Sequence, residues 1–77
     1  MLKIHWIEAL PNYKLKVEFE NGAKGECDVS GFLDKGDFSE LRDQSLFRQV
    51  KNIGFSAEWP NELDLSSDTL FTLMKAA

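Results

Sequence analysis

Between Tyr13 and Phe19 apolar and charged residues alternate without a break, and Asn21-Gly22 follows almost at once. Tyr13, Leu15, Val17 and Phe19 fall on one side of that run, with Lys14, Lys16, Glu18 and Glu20 on the other. A period of two buries one face of a strand and wets the other. Asn and Gly both tolerate positive φ, so Asn21-Gly22 predicts a type I′ hairpin turn. The return strand, Ala23 to Val29, sets Ala23, Gly25, Cys27 and Val29 on one face, small side chains opposite the large ones before them.

The rest of the chain has to pack on this hairpin. From Met1 to Leu10, Leu2, Ile4 and Trp6 alternate with Lys3 and His5, which predicts an N-terminal strand ended by Pro11-Asn12. Ser30 is placed to cap a short turn carrying Phe32 and Leu33 that Gly36 terminates, and Phe38 and Leu41 anchor the segment after it. Asp43 reads as the N-cap of a short helix burying Leu46, Phe47 and Val50. Val50–Ile53 and Phe55–Trp59, flanking Gly54, predict a second hairpin closed by Pro60-Asn61. Leu70, Phe71, Leu73 and Met74 follow at amphipathic-helix spacing, with Ser66 or Ser67 placed to accept from a first-turn amide, Asp68 in the first turn and Lys75 in the last. Three helical turns do not persist alone in water, so this helix is expected to dock on the sheet. The predicted fold is α+β, one domain over residues 1–77. Its sheet is antiparallel, with about four to five strands: two hairpins plus an N-terminal strand. Short helices occupy the middle and a C-terminal helix packs on the sheet.

A protein this short buries only about 60% of the surface it exposes when unfolded. The usual staples are missing, because Cys27 is the one cysteine and His5 the one histidine. No internal disulfide is available, which suits a reducing compartment, and homo-oligomerisation is one way to gain stability. Nine Lys and Arg stand against thirteen Asp and Glu, so long-range electrostatic attraction to nucleic acid is weak or repulsive. There is no charged leader with a small-residue cleavage site and no apolar run of about 20 residues, so the expected location is cytoplasmic, with no membrane partner.

Catalysis needs a nucleophile–base pair, and the inventory is thin. Cys27 shares parity with Ala23 and Val29 and reads as a buried apolar residue, while His5 shares parity with Lys3 and reads as solvated. Asp28, Asp34 and Asp37 surround the Gly36 loop, but their spacing matches no calcium loop, and they read as caps and turns. Lys14, Lys16 and Lys24 lie near the first hairpin, yet Glu18 and Glu20 share that strand face and no aromatic interleaves to stack a base. The expectation is no enzyme, no cofactor and no metal. The most specific string is Trp59-Pro60-Asn61-Glu62-Leu63-Asp64-Leu65. Tryptophan before proline is held extended, and its ring either closes one end of a small core or presents an edge to a partner. Trp59, Pro60, Asn61 and Asp64 are therefore the candidate partner-binding residues.

The order of these features resembles a known family. The strand Tyr13–Phe19, the Asn21-Gly22 turn, Cys27–Ser30, Gly36–Asp43, Phe47–Val50, and Trp59-Pro60-Asn61 with Asp64 and Leu70 are together similar to the small bacterial domain of unknown function 2442. The resemblance covers nearly the whole sequence. It implies a compact α+β fold without an established reaction or cofactor. It also implies a setting in which members are often encoded beside another small uncharacterised protein, in the manner of toxin–antitoxin pairs. Some longer relatives continue into a helix-turn-helix domain; that extension is not in this sequence, so DNA binding is not carried over. Three positions depart from the common pattern: Glu62 for a frequent glycine, Ser67 for a frequent proline and Phe71 for a frequent tyrosine. Glu62 carries the further expectation that its backbone does not need positive φ. These readings converge on a non-catalytic protein-interaction domain, antitoxin-like or adaptor-like within a two-protein module. The alternative is a regulatory domain binding a small ligand or nucleic acid.

Overall fold

The computed structural model describes residues 2–76. Met1, which the alternation included in the first strand, lies outside the described residues. Three consecutive strands, β1 (Ile4–Leu10), β2 (Lys14–Phe19) and β3 (Lys24–Asp28), form one antiparallel sheet in that order. Two 3-10 turns, Ser30–Phe32 and Gly36–Arg42, and the short helix α1 (Gln44–Phe47) lead to a second antiparallel sheet. Its strands β4 (Lys51–Asn52), β5 (Ser56–Glu58) and β6 (Asp64–Ser66) are also neighbours in sequence order, and α2 (Ser67–Ala76) ends the fold. The fold is α+β as predicted, but with six strands in two sheets rather than four or five in one. The strand the sequence hid is β6, which is three residues long and runs directly into a helix cap.

The alternation in β2 is realised, with Leu15, Val17 and Phe19 fully buried. Opposite them Cys27 pairs with Leu15, and Gly25 pairs with Val17. The room left by these small residues is filled by α2. A β-carbon on Gly25 would sit 2.8 Å from Met74 Cγ, and the Cys27 thiol donates to the Leu70 carbonyl at 3.2 Å. The helix docks on the sheet as expected, and the small side chains of β3 give it room.

β1 departs from simple alternation. Ile4 pairs with Phe19 but Trp6 pairs with Glu18, so His5 is an extra residue in the register, a β-bulge. Past the bulge Ile7 and Ala9 share the inner face with Val17 and Leu15, while Trp6, Glu8 and Leu10 share the outer one with Glu18, Lys16 and Lys14. Trp6, predicted to point inward with Ile4, lies on the outer face, and its indole N–H donates to Glu18 Oε1 at 2.9 Å.

The turn after β2 is not type I′. Gly22 N–H donates to the Phe19 carbonyl (2.9 Å) and Phe19 N–H to the Ala23 carbonyl (2.8 Å), while Gly22 has φ +90° and Asn21 is not among the positive-φ residues. This is a three-residue loop, a type I turn closed by a left-handed third residue. Tyr13, predicted to lead β2, sits before it with φ +60°. Its hydroxyl donates to the Arg42 carbonyl at 2.5 Å, and its ring meets Phe47 edge-on at 5.4 Å.

Caps fall close to prediction. The Asp43 carboxylate accepts from Ser45 N–H and Ser66 Oγ accepts from Thr69 N–H, opening α1 and α2. The turn Ser30–Phe32 is different: Val29 stands at its N-cap with no side-chain cap, and Ser30 instead donates its N–H and hydroxyl to Asp28 Oδ1. Of the predicted α1 stripe Phe47 is buried, with Leu46 and Val50 half-buried against the core. The two sheets meet at β1 and β4: Asn52 Nδ2 donates to the carbonyls of Ile4 (3.0 Å) and His5 (3.3 Å), and Ile4 N–H donates to Gly54 O (2.8 Å).

Candidate functional site

Cys27 is fully buried, and burial pushes its thiol up from 9.0 to about 11. A thiol held protonated beneath a helix is a poor nucleophile at neutral pH. Asp28, Asp34 and Asp37 have separate tasks. Asp28 serves the turn, and the Ser30 hydroxyl and N–H hold its carboxyl below the ordinary carboxylate value. Asp34 pairs with Arg42, and Asp37 lies in the first turn of the second 3-10 segment. Among the described residues no group of three or more His, Cys, Asp or Glu is placed to hold a metal ion. Among the described residues no helix is long and apolar enough to cross a membrane.

The outer face of the first sheet carries Lys14, Lys16 and Lys24, each opposite an acid. Lys16 lies between Glu8 and Glu26, Lys14 pairs with Asp28, and Glu18 with Lys24. Arg48 stands apart, at the C-terminal end of α1. A surface alternating in sign gives a polyanion little field to follow.

Trp59 is in the core. Its ring is 2% exposed, stacks on Phe47 at 6.0 Å between centroids, and donates its indole N–H to the Phe47 carbonyl at 2.9 Å. The ring therefore closes the core rather than offering an edge. Of its neighbours Pro60 and Asp64 are exposed and Asn61 half-buried, with Asn61 Nδ2 donating to Glu40 Oε1 at 3.1 Å. The turn here repeats the loop after β2: Glu62 N–H donates to Trp59 O, Trp59 N–H donates to Leu63 O, and Glu62 has φ +71°. The expectation that position 62 avoids positive φ is overturned.

Two surface features remain. The bulge turns His5 into a depression of about 310 Å³ that it shares with Glu18, Phe19, Glu20 and Gly22. Sequence parity assigned His5 to solvent correctly; that Glu18 and Glu20 share its depression, the arrangement that would reopen an enzyme reading, depends on the register of the partner strand. Glu18 is already engaged by Trp6, which leaves Glu20 as the freer acid of the pair. Such a wall of carboxylates favours a cationic group. The second feature is the tip of the β4–β5 hairpin, where Ile53 and Phe55 are 50% and 47% exposed. The sequence placed both inside strands; the strands stop at Asn52 and start again at Ser56, so the turn carries them outward. Residues Lys3 to His5 join the two features, since Lys3 O accepts from Glu20 N–H on one side and Ile4 N–H reaches Gly54 O on the other.

A family model described as "Protein of unknown function (DUF2442)" matches residues 4–76. No curated protein and no solved structure matches this sequence.

Proposed function

The chain belongs to the DUF2442 family, and from that premise we propose that it is a non-catalytic protein-interaction domain, the adaptor-like or antitoxin-like member of a cytoplasmic two-protein module. The observation that carries this reading is the hairpin tip. Every other large apolar side chain among the described residues is buried or half-buried, while Ile53 and Phe55 stand out on either side of Gly54. Leaving apolar area in water forgoes about 25 cal/mol per Å², which a covering partner recovers. A net charge of −4, with Glu18 and Glu20 lining the depression across Lys3–His5 from the tip, favours a partner with basic residues near its apolar contact. Pro60 and Asp64 provide a separate exposed segment, now without the Trp59 ring to anchor it.

The test is affinity capture of the tagged protein at native expression level, with mass spectrometry and light scattering, alongside an Ile53→Ser/Phe55→Ser variant. A stoichiometric partner retained by the native tip and lost by the variant supports the reading. A monomer with nothing bound, or a partner held equally by both forms, overturns it. A small-ligand reading has one observation behind it, the His5–Glu18–Glu20 depression, and predicts thermal stabilisation by small organic cations that Glu20→Gln abolishes.

A further inference from the structure

Of four asparagines, at 12, 21, 52 and 61, only Asn21 precedes a glycine. That pair is chemically the least durable in the protein. When the backbone nitrogen of the following residue gives up its proton to hydroxide, it can attack the carboxamide carbon of the asparagine. A new C–N bond closes a five-membered imide, and the bond from that carbon to the carboxamide nitrogen breaks as that nitrogen takes a proton from water and leaves as ammonia, returning hydroxide. Water then opens the imide at either carbonyl, giving aspartate or isoaspartate. Glycine favours the attack because no β-carbon crowds the approaching nitrogen.

In the folded loop both reacting groups are engaged. Gly22 N–H, the nucleophile's nitrogen, donates to Phe19 O at 2.9 Å. Asn21 Oδ1, on the carbon to be attacked, accepts from Ala23 N–H at 2.9 Å. Both residues are nonetheless exposed, so water reaches them as soon as those bonds open. We infer that Asn21-Gly22 is a gated self-modification site, which deamidates when the β2–β3 loop opens and is protected while it is closed. The product matters to the surface already described, because Gly22 lines the depression with Glu18 and Glu20. Either product adds a negative charge at that rim, and isoaspartate also inserts an extra carbon into a loop whose hydrogen bonds depend on three residues. The gating resides in the loop alone and stands whether or not a partner binds.

The experiment is prolonged incubation of the full-length protein in mildly alkaline buffer, native and in concentrated urea, with peptide mapping for the gain of about one mass unit. The expected result is conversion at Asn21 at least about tenfold faster in urea than in the native protein. Asn61, which has the same loop but Glu62 after it, should lag far behind in both. Gly22→Ala in urea should slow Asn21, confirming the glycine as the accelerating residue. Hydrogen exchange of the Gly22 amide supplies the second readout and should rise and fall with native conversion as temperature is varied. Equal rates in native and unfolded protein, or native conversion with the Gly22 amide still protected, would overturn the gating.

Discussion

The loop joining β2 to β3 and the loop joining β5 to β6 have the same hydrogen bonds and different chemistry. Each starts at a buried aromatic residue, Phe19 or Trp59, and each places an asparagine second. In each the third residue donates to the aromatic residue's carbonyl and adopts a left-handed conformation, φ +90° at Gly22 and φ +71° at Glu62. The asparagine Oδ1 accepts from the residue after the loop, at 2.9 Å in the first and 3.4 Å in the second. The difference is a β-carbon at position 62, where left-handed backbone costs an L-residue roughly 1–2 kcal/mol. Loop geometry here is set by strand pairing and by the buried ring that opens it. The third residue only decides how much strain the loop carries.

The largest test removes the anchor rather than the loop. Trp59→Phe leaves the Phe47 carbonyl without its indole donor and opens a small cavity, so it should destabilise by about 2–3 kcal/mol in urea melts. If it does not, the loop and not the ring holds this end of the core. Gly22→Ala places a β-carbon at φ +90° and should lose about 1–2 kcal/mol, several degrees in a thermal melt. Glu62→Gly should move the other way, gaining up to about 1 kcal/mol as relief of strain exceeds the extra entropy of an unfolded glycine. A neutral or destabilising result would mean that the Glu62 side chain makes an offsetting contribution. Smallest is the asparagine pair. Asn21→Ala should cost about 0.5–1 kcal/mol and the loop bond of Asn61 less, given its length. Adding Glu40→Ala to Asn61→Ala in a double-mutant cycle isolates the Asn61–Glu40 contact.

The same pair shows what was legible in the sequence. Gly22 announces its loop because the residue matches the backbone, although Asn-Gly pointed to a two-residue turn where three are used. Glu62 announces nothing, since the third loop position is recognisable only when glycine fills it. β2, α2, the Asp43 cap, a serine cap at 66 or 67 and the burial of Cys27 could all be read, because each depends on neighbours within a few residues. The bulge at His5 could not, and it decided both where Trp6 points and what lines the depression. An extra residue in a register depends on the partner strand, and alternation along one strand cannot reveal it. The exposed tip was hidden for a related reason: Ile53 and Phe55 look like strand residues, and only the tightness of the Gly54 turn turns them out. For Cys27, in the core as its parity indicates, the sign of the pH dependence follows from burial. Stability from its protonated thiol is complete below about pH 9 and declines as pH rises toward about 11.

Asn52 joins the two sheets across 48 sequence positions, whereas every strand pair within a sheet connects sequence neighbours. Each three-stranded meander therefore has short loops to close, and the contact through Asn52 closes most of the polypeptide at once. Such long-range closure has the greatest entropy cost, so the meanders should order first and dock late. Asn52→Ala would then leave the refolding rate nearly unchanged and raise the unfolding rate, marking this side chain as the latch on the native state rather than part of its nucleus.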